Sequence, residues 1–135
     1  MKIRIVNSKE EIAKLDPREG VVHLTIPLTT IALLELIQRC PRLEAIEAPP
    51  YRYRTMFKSS RCLLDVQGVK VFPALIQGHR TDHAEYITVD EGAILQRAGE
   101  LRAAGMDSGG IVAKVAEELE VSPGLVGFIL DSSLR

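Results

Sequence analysis

Gly20-Val-Val-His-Leu-Thr-Ile-Pro-Leu-Thr-Thr-Ile-Ala-Leu-Leu-Glu-Leu-Ile-Gln-Arg39 decides the fold. Residues 21–26 form a short β-branched, apolar run behind a glycine, which predicts a strand. Thr29 or Thr30 then offers an N-cap hydroxyl, and residues 31–39 repeat apolar side chains at helical spacing. Ile31, Leu34 and Ile37 set the expected buried stripe, with Leu33 and Leu36 widening it, and Pro41 ends the helix. A strand running straight into a helix is half of a β-α-β unit.

The flanking sequence repeats that unit. Residues 2–6 alternate and predict a strand, and Ser8 with Glu11 reads as a capping box for a helix over 10–15, stopped by Asp16-Pro17. Residues 43–48 predict a third strand, closed by Pro49-Pro50. A helix comes next over 55–66, with Met56, Leu63 and Leu64 as core contacts and Gly68 as the C′ glycine, and then a strand over 69–72. The order β-α-β-α-β-α-β predicts a small parallel sheet with right-handed crossovers. Strand starts separated by about 21 and about 26 residues also match a leucine-rich-repeat period, so a leucine-rich-repeat-like solenoid stands beside an open sheet.

Beyond residue 83 the pattern reads as purely helical. Thr88 and Glu91 form a second capping box, for a helix to Ala104 ended by Gly105; Asp107 or Ser108 opens another to Leu119; Ser122 and Pro123 open a third. The expected organisation is an α/β domain over 1–87 and a three-helix subdomain over 88–135, docked on that domain or on a partner subunit. Leu125, Val126, Phe128, Ile129 and Leu130 are too apolar for a one-sided surface helix. Phe128 is therefore expected to be covered, within the chain or in a homodimer through the C-terminal helices.

The chain has 135 residues, 46% of them hydrophobic, and a net charge of −1. That is one globular domain's worth of chain without the basic balance of a bulk nucleic-acid binder. The start has no signal-peptide pattern, residues 25–37 are too short to span a bilayer and carry Glu35, and Cys40 and Cys62 have no metal spacing. A cytoplasmic protein away from membranes is expected. The charge is uneven: residues 39–83 hold eight basic and four acidic side chains, and residues 84–135 hold four basic and nine acidic. An anionic partner belongs with the middle of the chain.

Val115-Ala-Glu-Glu-Leu-Glu-Val-Ser-Pro-Gly-Leu-Val-Gly-Phe-Ile-Leu130 resembles the helix-turn-helix of bacterial and archaeal transcription regulators, with Ala116, Leu119, Val121, Val126 and Leu130 at the apolar positions. It departs from them at Glu120, where such turns favour glycine, and in a second helix with neither base-reading side chains nor a cation before Arg135. The whole chain is also similar to an uncharacterised family of small archaeal proteins, mainly of methanogens. Lys2-Ile-Arg-Ile-Val-Asn-Ser-Lys-Glu-Glu-Ile12, Val22-His-Leu-Thr25, Cys40-Pro41, Gly78-His-Arg-Thr-Asp82 and the helical tail carry that resemblance. It implies a cytoplasmic archaeal protein and no particular activity.

Parallel sheets bind ligands beyond the carboxyl ends of their strands, where helix N-termini also point. Ser8, Thr29, Arg52, His79 and Arg80 fall at those ends and suit a phosphate or carboxylate. Tyr51, Arg52, Tyr53 and Arg54, with Lys58 and Arg61, interleave rings and cations as single-stranded nucleic-acid sites do. His79 and His83 bracket a loop with Asp82 but lack a third spaced ligand, so no metal is assigned, and His23 reads as a packed core histidine. No glycine-rich phosphate loop, nucleophile elbow or cofactor motif is present. The sequence reads as a non-enzymatic binding or regulatory protein for an anionic small molecule or single-stranded nucleic acid. A helix-turn-helix DNA-binding regulator and a small enzyme using the 79–83 loop are the alternatives.

Overall fold

The structure, a computed structural model, describes residues 1–75, 81–83 and 86–133. It divides into a unit of residues Lys2–Thr88 and a second made of Met1 with the chain from Val89 onward. His79 and Arg80 lie outside the described residues.

In the first unit the elements are β1 (Lys2–Val6), α1 (Lys9–Ile12), β2 (Val21–Leu24), α2 (Thr30–Arg39), β3 (Ala45–Ala48), α3 (Pro50–Arg54), α4 (Lys58–Gln67), β4 (Lys70–Pro73), β5 (Thr81–His83) and β6 (Tyr86–Thr88). They form one sheet of order β4-β3-β2-β1-β6-β5. The pairs among β1 to β4 are parallel, and β6 runs antiparallel to both β1 and β5. The four parallel strands come in chain order, as solenoid coils do, but the sheet then continues into an antiparallel pair.

Strand side chains alternate between faces. Val6 pairs with Leu24, and Val22 with Ile46. These four join Ile12, Leu33, Leu36 and Leu64 in the apolar core beneath α1, α2 and α4. Ile5, His23, Glu47 and Phe72 are the matched residues of the opposite face. At the β4 edge, the Lys70 and Ala74 amides bond back to the Glu44 and Ala48 carbonyls, just before and at the end of β3. Alternation turns the Pro73 position outward, so a residue without an N–H blunts that edge.

Several expectations need correcting. The buried face of α2 is Ala32, Leu33 and Leu36, while Ile31 and Leu34 are exposed. The largely apolar run Ile31 to Ile37 contains two helical stripes, and the sheet selected the other one. The helix expected over 55–66 is α4, which starts three residues later at Lys58, and an unexpected short helix precedes it: Pro50 starts α3, and the Thr55 hydroxyl donates to the Tyr51 carbonyl at 2.9 Å, closing α3 before α4 begins. Gly68 does end α4, at φ 72°. Ser8 makes no side-chain cap, and the Glu11 carboxylate accepts instead from the Asn7 amide at 3.2 Å. Thr88 is no cap either, because it pairs with Lys2 in the sheet. The chain beyond residue 83 is thus not purely helical.

The second unit holds α5 (Glu91–Ala103), α6 (Ser108–Leu119) and α7 (Pro123–Ser133). The Asp90 carboxylate caps α5 through the Ala93 amide, and Asp107 caps α6 through Gly110. Arg97 donates to Glu118 at 2.7 Å, tying α5 to α6, and holds that carboxyl below its usual range. Phe128 is 8% exposed, so it is covered within the single chain. Glu120 adopts φ 54° between α6 and α7, the left-handed conformation for which glycine is favoured.

Strain at Glu120 and the Tyr86 hydrogen bond to Glu19 can each be tested. Glu120→Gly relieves a left-handed residue costing about 1–2 kcal/mol and loses about 0.4–1 kcal/mol to unfolded-chain entropy. The net is a rise in the thermal midpoint, and a fall contradicts the turn geometry. Tyr86 donates to Glu19 at 2.5 Å, and that bond pushes its phenol up to about 12. A raised pKa contributes stability below the unfolded value of 10.0 that is lost as pH rises through about 12. Tyr86→Phe is therefore less stable by about 1 kcal/mol at pH 8, and the gap closes across that alkaline window in denaturant titrations.

Candidate functional site

The carboxyl ends of β1, β2 and β3 are joined by side chains. The Thr25 amide donates to the Val6 carbonyl at 3.1 Å. The Thr25 hydroxyl lies 3.0 Å from Asn7 Oδ1 and 3.2 Å from the Val6 carbonyl, two acceptors for its one proton. Beyond β3, Pro49-Pro50 turns the chain directly into α3, which carries Arg52 back over the end of β2. There Arg52 Nε donates to the Thr25 carbonyl at 3.0 Å. Its Nη1 donates to the Tyr51 hydroxyl at 2.9 Å, and its guanidinium lies 4.7 Å from the centre of that ring. Arg61 repeats the arrangement with Tyr53, at 3.3 Å to the hydroxyl and 4.9 Å to the ring centre.

These partners of the two guanidinium groups are all neutral. Arg18 and Arg97 behave differently, bonding to Asp16 at 3.3 Å and to Glu118 at 2.7 Å. Among the described residues no carboxylate pairs with Arg52, Arg54, Lys58 or Arg61, and residues 48–64 contain no acid. The rim is thus organised by hydrogen bonds that leave its positive charge uncompensated.

Two helices start on this rim. The Thr29 hydroxyl caps α2 by accepting from the Ala32 amide at 3.1 Å. The Thr30 hydroxyl sits 3.2 Å from the hydroxyls of both Ser59 and Ser60, joining the first turns of α2 and α4. Phe57 stands at the N-cap of α4 and supplies no side-chain cap. It is 67% exposed, and Tyr51 is 56% exposed.

Of the residues expected at the site, Arg52 is bonded to the end of β2 and to neither Ser8 nor Thr29. The Thr29 hydroxyl is taken up as a cap, and Ser8 sits at the end of β1. Arg54 and Lys58 are exposed, while Tyr53 and Arg61 are half-buried. Sequence reasoning misses Thr25 because it reads as an ordinary strand residue. It misses Phe57 because residues 55–66 read as one helix, in which a phenylalanine looks like core. Arg61 also lines a surface cavity of about 310 Å³ with Asp65 and Lys70, beside the opposite end of β4.

The sheet face opposite α1, α2 and α4 holds a second polar pair. His23 is 1% and Glu47 3% exposed. His23 Nδ1 lies 2.7 Å from Glu47 Oε1, so an Nδ1–H donated to the carboxylate fixes the ring tautomer. Glu47 Oε2 has no hydrogen-bond partner among the described residues. His23 is the buried histidine the sequence predicts; its partner, the register-matched residue of β3, gives no sign of the pairing in the sequence. Burial pushes the Cys40 thiol up to about 11, leaving it inert at neutral pH. No group of three His, Cys, Asp or Glu that could hold a metal occurs among the described residues, and no helix among them is long and apolar enough to cross a membrane.

Residues 2–85 match the N-terminal domain of a family of unknown function, DUF1699. No curated protein and no solved structure matches the chain.

The buried pair gives a direct test of the sheet. Removing one partner, as in His23→Ala or Glu47→Ala, strands the other and costs about 3–5 kcal/mol. Replacing both by leucine costs less than the two single losses added, because no polar group is then left unpaired. Denaturant unfolding at constant m-value measures all three, and single losses below about 1 kcal/mol contradict the pairing.

Proposed function

The chain belongs to the DUF1699 family of unknown function, and from its geometry we propose that it is a non-enzymatic binding protein that takes a phosphate-bearing anion on the rim of Arg52, Arg54 and Lys58. One observation carries this reading: Arg52 is held by the Thr25 carbonyl and the Tyr51 hydroxyl, both neutral, so it is oriented without being neutralised. An anion supplies the missing countercharge through the remaining N–H groups of the fork. Several cations spread over residues 52–61 suit a multiply charged phosphate better than a single carboxylate. The described rim residues offer cations, hydroxyls and rings but, among them, no general base beside a nucleophile, which favours binding over catalysis. The sequence resemblance and the two free cysteines support a cytoplasmic, archaeal setting.

A second reading has an observation of its own. Helices α6 and α7 are joined by a short turn with a left-handed residue at Glu120, the arrangement a helix-turn-helix regulator uses. Its charge argues against DNA reading, because residues 123–133 contain no cation and the exposed positions include Asp131.

Calorimetric titration with inorganic tripolyphosphate and with duplex DNA separates the two. Arg52→Ala/Arg54→Ala lowers tripolyphosphate affinity by about tenfold or more while the chain stays folded, with the melting temperature lowered only by the loss of the Arg52 bond to the Thr25 carbonyl. Gly127→Glu, at a position where an added Cβ meets nothing within 4 Å, leaves it intact. Loss of duplex binding in Gly127→Glu, with no effect of the arginine changes on either ligand, favours the regulator.

A further inference from the structure

We infer that the ligand of this rim is a single-stranded nucleic acid whose bases stack on Tyr51 and Phe57, an inference that rests on the phosphate reading above. Both rings stand where the fold does not require them. An N-cap favours Ser, Thr, Asp or Asn, whose side chains satisfy the first amides of the helix. Phe57 occupies that place in α4, makes no cap, packs into no core and leaves 67% of its surface in water. Tyr51 is 56% exposed, and the Arg52 guanidinium stacked 4.7 Å from its ring centre orients it while leaving the rest of the ring accessible. Tyr53 is the contrast within the same segment: it is half-buried and held by Arg61, so it serves the fold.

Two exposed rings thus stand among cations with no acid in the surrounding segment. Every base presents a π-face and every nucleotide a phosphate, so rings alternating with cations hold a strand without reading its sequence. A duplex keeps its bases stacked on each other and offers the rings nothing. The exposed hydroxyls of Thr30 and Ser59, joined where α2 and α4 begin, add hydrogen-bonding groups at this end of the unit, which favours a polar strand over a lipid surface.

Fluorescence anisotropy of the full chain with labelled oligothymidylate of about ten nucleotides tests this, with a blunt duplex and phosphatidylserine vesicles as competitors. The single strand is expected to bind at least about tenfold tighter than the duplex. Tyr51→Ala and Phe57→Ala each weaken it by about tenfold, while Tyr53→Phe does not. Phe57→Ala keeps wild-type affinity for tripolyphosphate, and Tyr51→Phe, which keeps the ring but removes the hydroxyl that holds Arg52, separates stacking from the orientation of Arg52. Equal affinity for duplex and single strand, unchanged binding in both ring variants, or vesicles that displace the oligonucleotide and themselves require the rings, overturns the inference. If the ring variants have no effect while Arg52→Ala/Arg54→Ala still weakens tripolyphosphate binding, this inference alone falls; if the arginine variant also has no effect, the phosphate reading falls with it.

Discussion

Four parallel strands laid down in chain order leave their right-handed crossovers one face of the sheet. That constraint governs both the core and the rim of the α/β unit. Leu33, Leu36 and Leu64 must meet Val22, Leu24 and Ile46 on that face, and they form one core there. The crossover helices must then run back against the strands, so α2 and α4 both begin at the strands' carboxyl ends. Thr30 touching Ser59 and Ser60 is the local sign of it. Pro49-Pro50 adds the short α3 at the same end, and the Arg52 bond to the Thr25 carbonyl pins it there.

The electrostatic character of that end comes from what is left out. A chain with net charge −1 has acids enough to neutralise every cation. Arg18 and Arg97 are satisfied that way, through Asp16 and Glu118. Arg52 and Arg61 are ordered by a backbone carbonyl and by tyrosine hydroxyls, which fix geometry and add no negative charge. The charge of Arg52, Arg54 and Lys58 is therefore left uncompensated at one rim, where its field acts on a charged ligand over about a Debye length, roughly 10 Å at moderate salt.

Residues with one dominant local preference are legible in the sequence. The β-branched alternation of residues 2–6 and the left-handed Gly68 appear where the chain chemistry puts them, and of the paired cap candidates Thr29 or Thr30 and Asp107 or Ser108 the first of each makes the cap. Where two local solutions compete, only tertiary contacts choose. The run Ile31 to Ile37 contains two apolar stripes, and contact with the sheet selected Ala32, Leu33 and Leu36. Thr88 suits both a cap and a strand, and pairing with Lys2 decided for the strand. Tyr86–Thr88 is too short to display a period. The site divides in the same way: its cations and the neighbouring tyrosines are visible in the sequence, but the Thr25 carbonyl that holds Arg52 and the His23–Glu47 contact depend on partners 27 and 24 residues away.

The uncompensated charge of the rim is the central claim, and the salt dependence of binding reads it most directly. Each phosphate neutralised on a single strand contributes about −0.7 to the slope of log K against log salt. If Arg52, Arg54 and Lys58, with or without Arg61, each meet a phosphate, oligothymidylate binding has a slope of about −2 to −3. A slope near zero means that the rim cations hold no phosphate, and it contradicts the account.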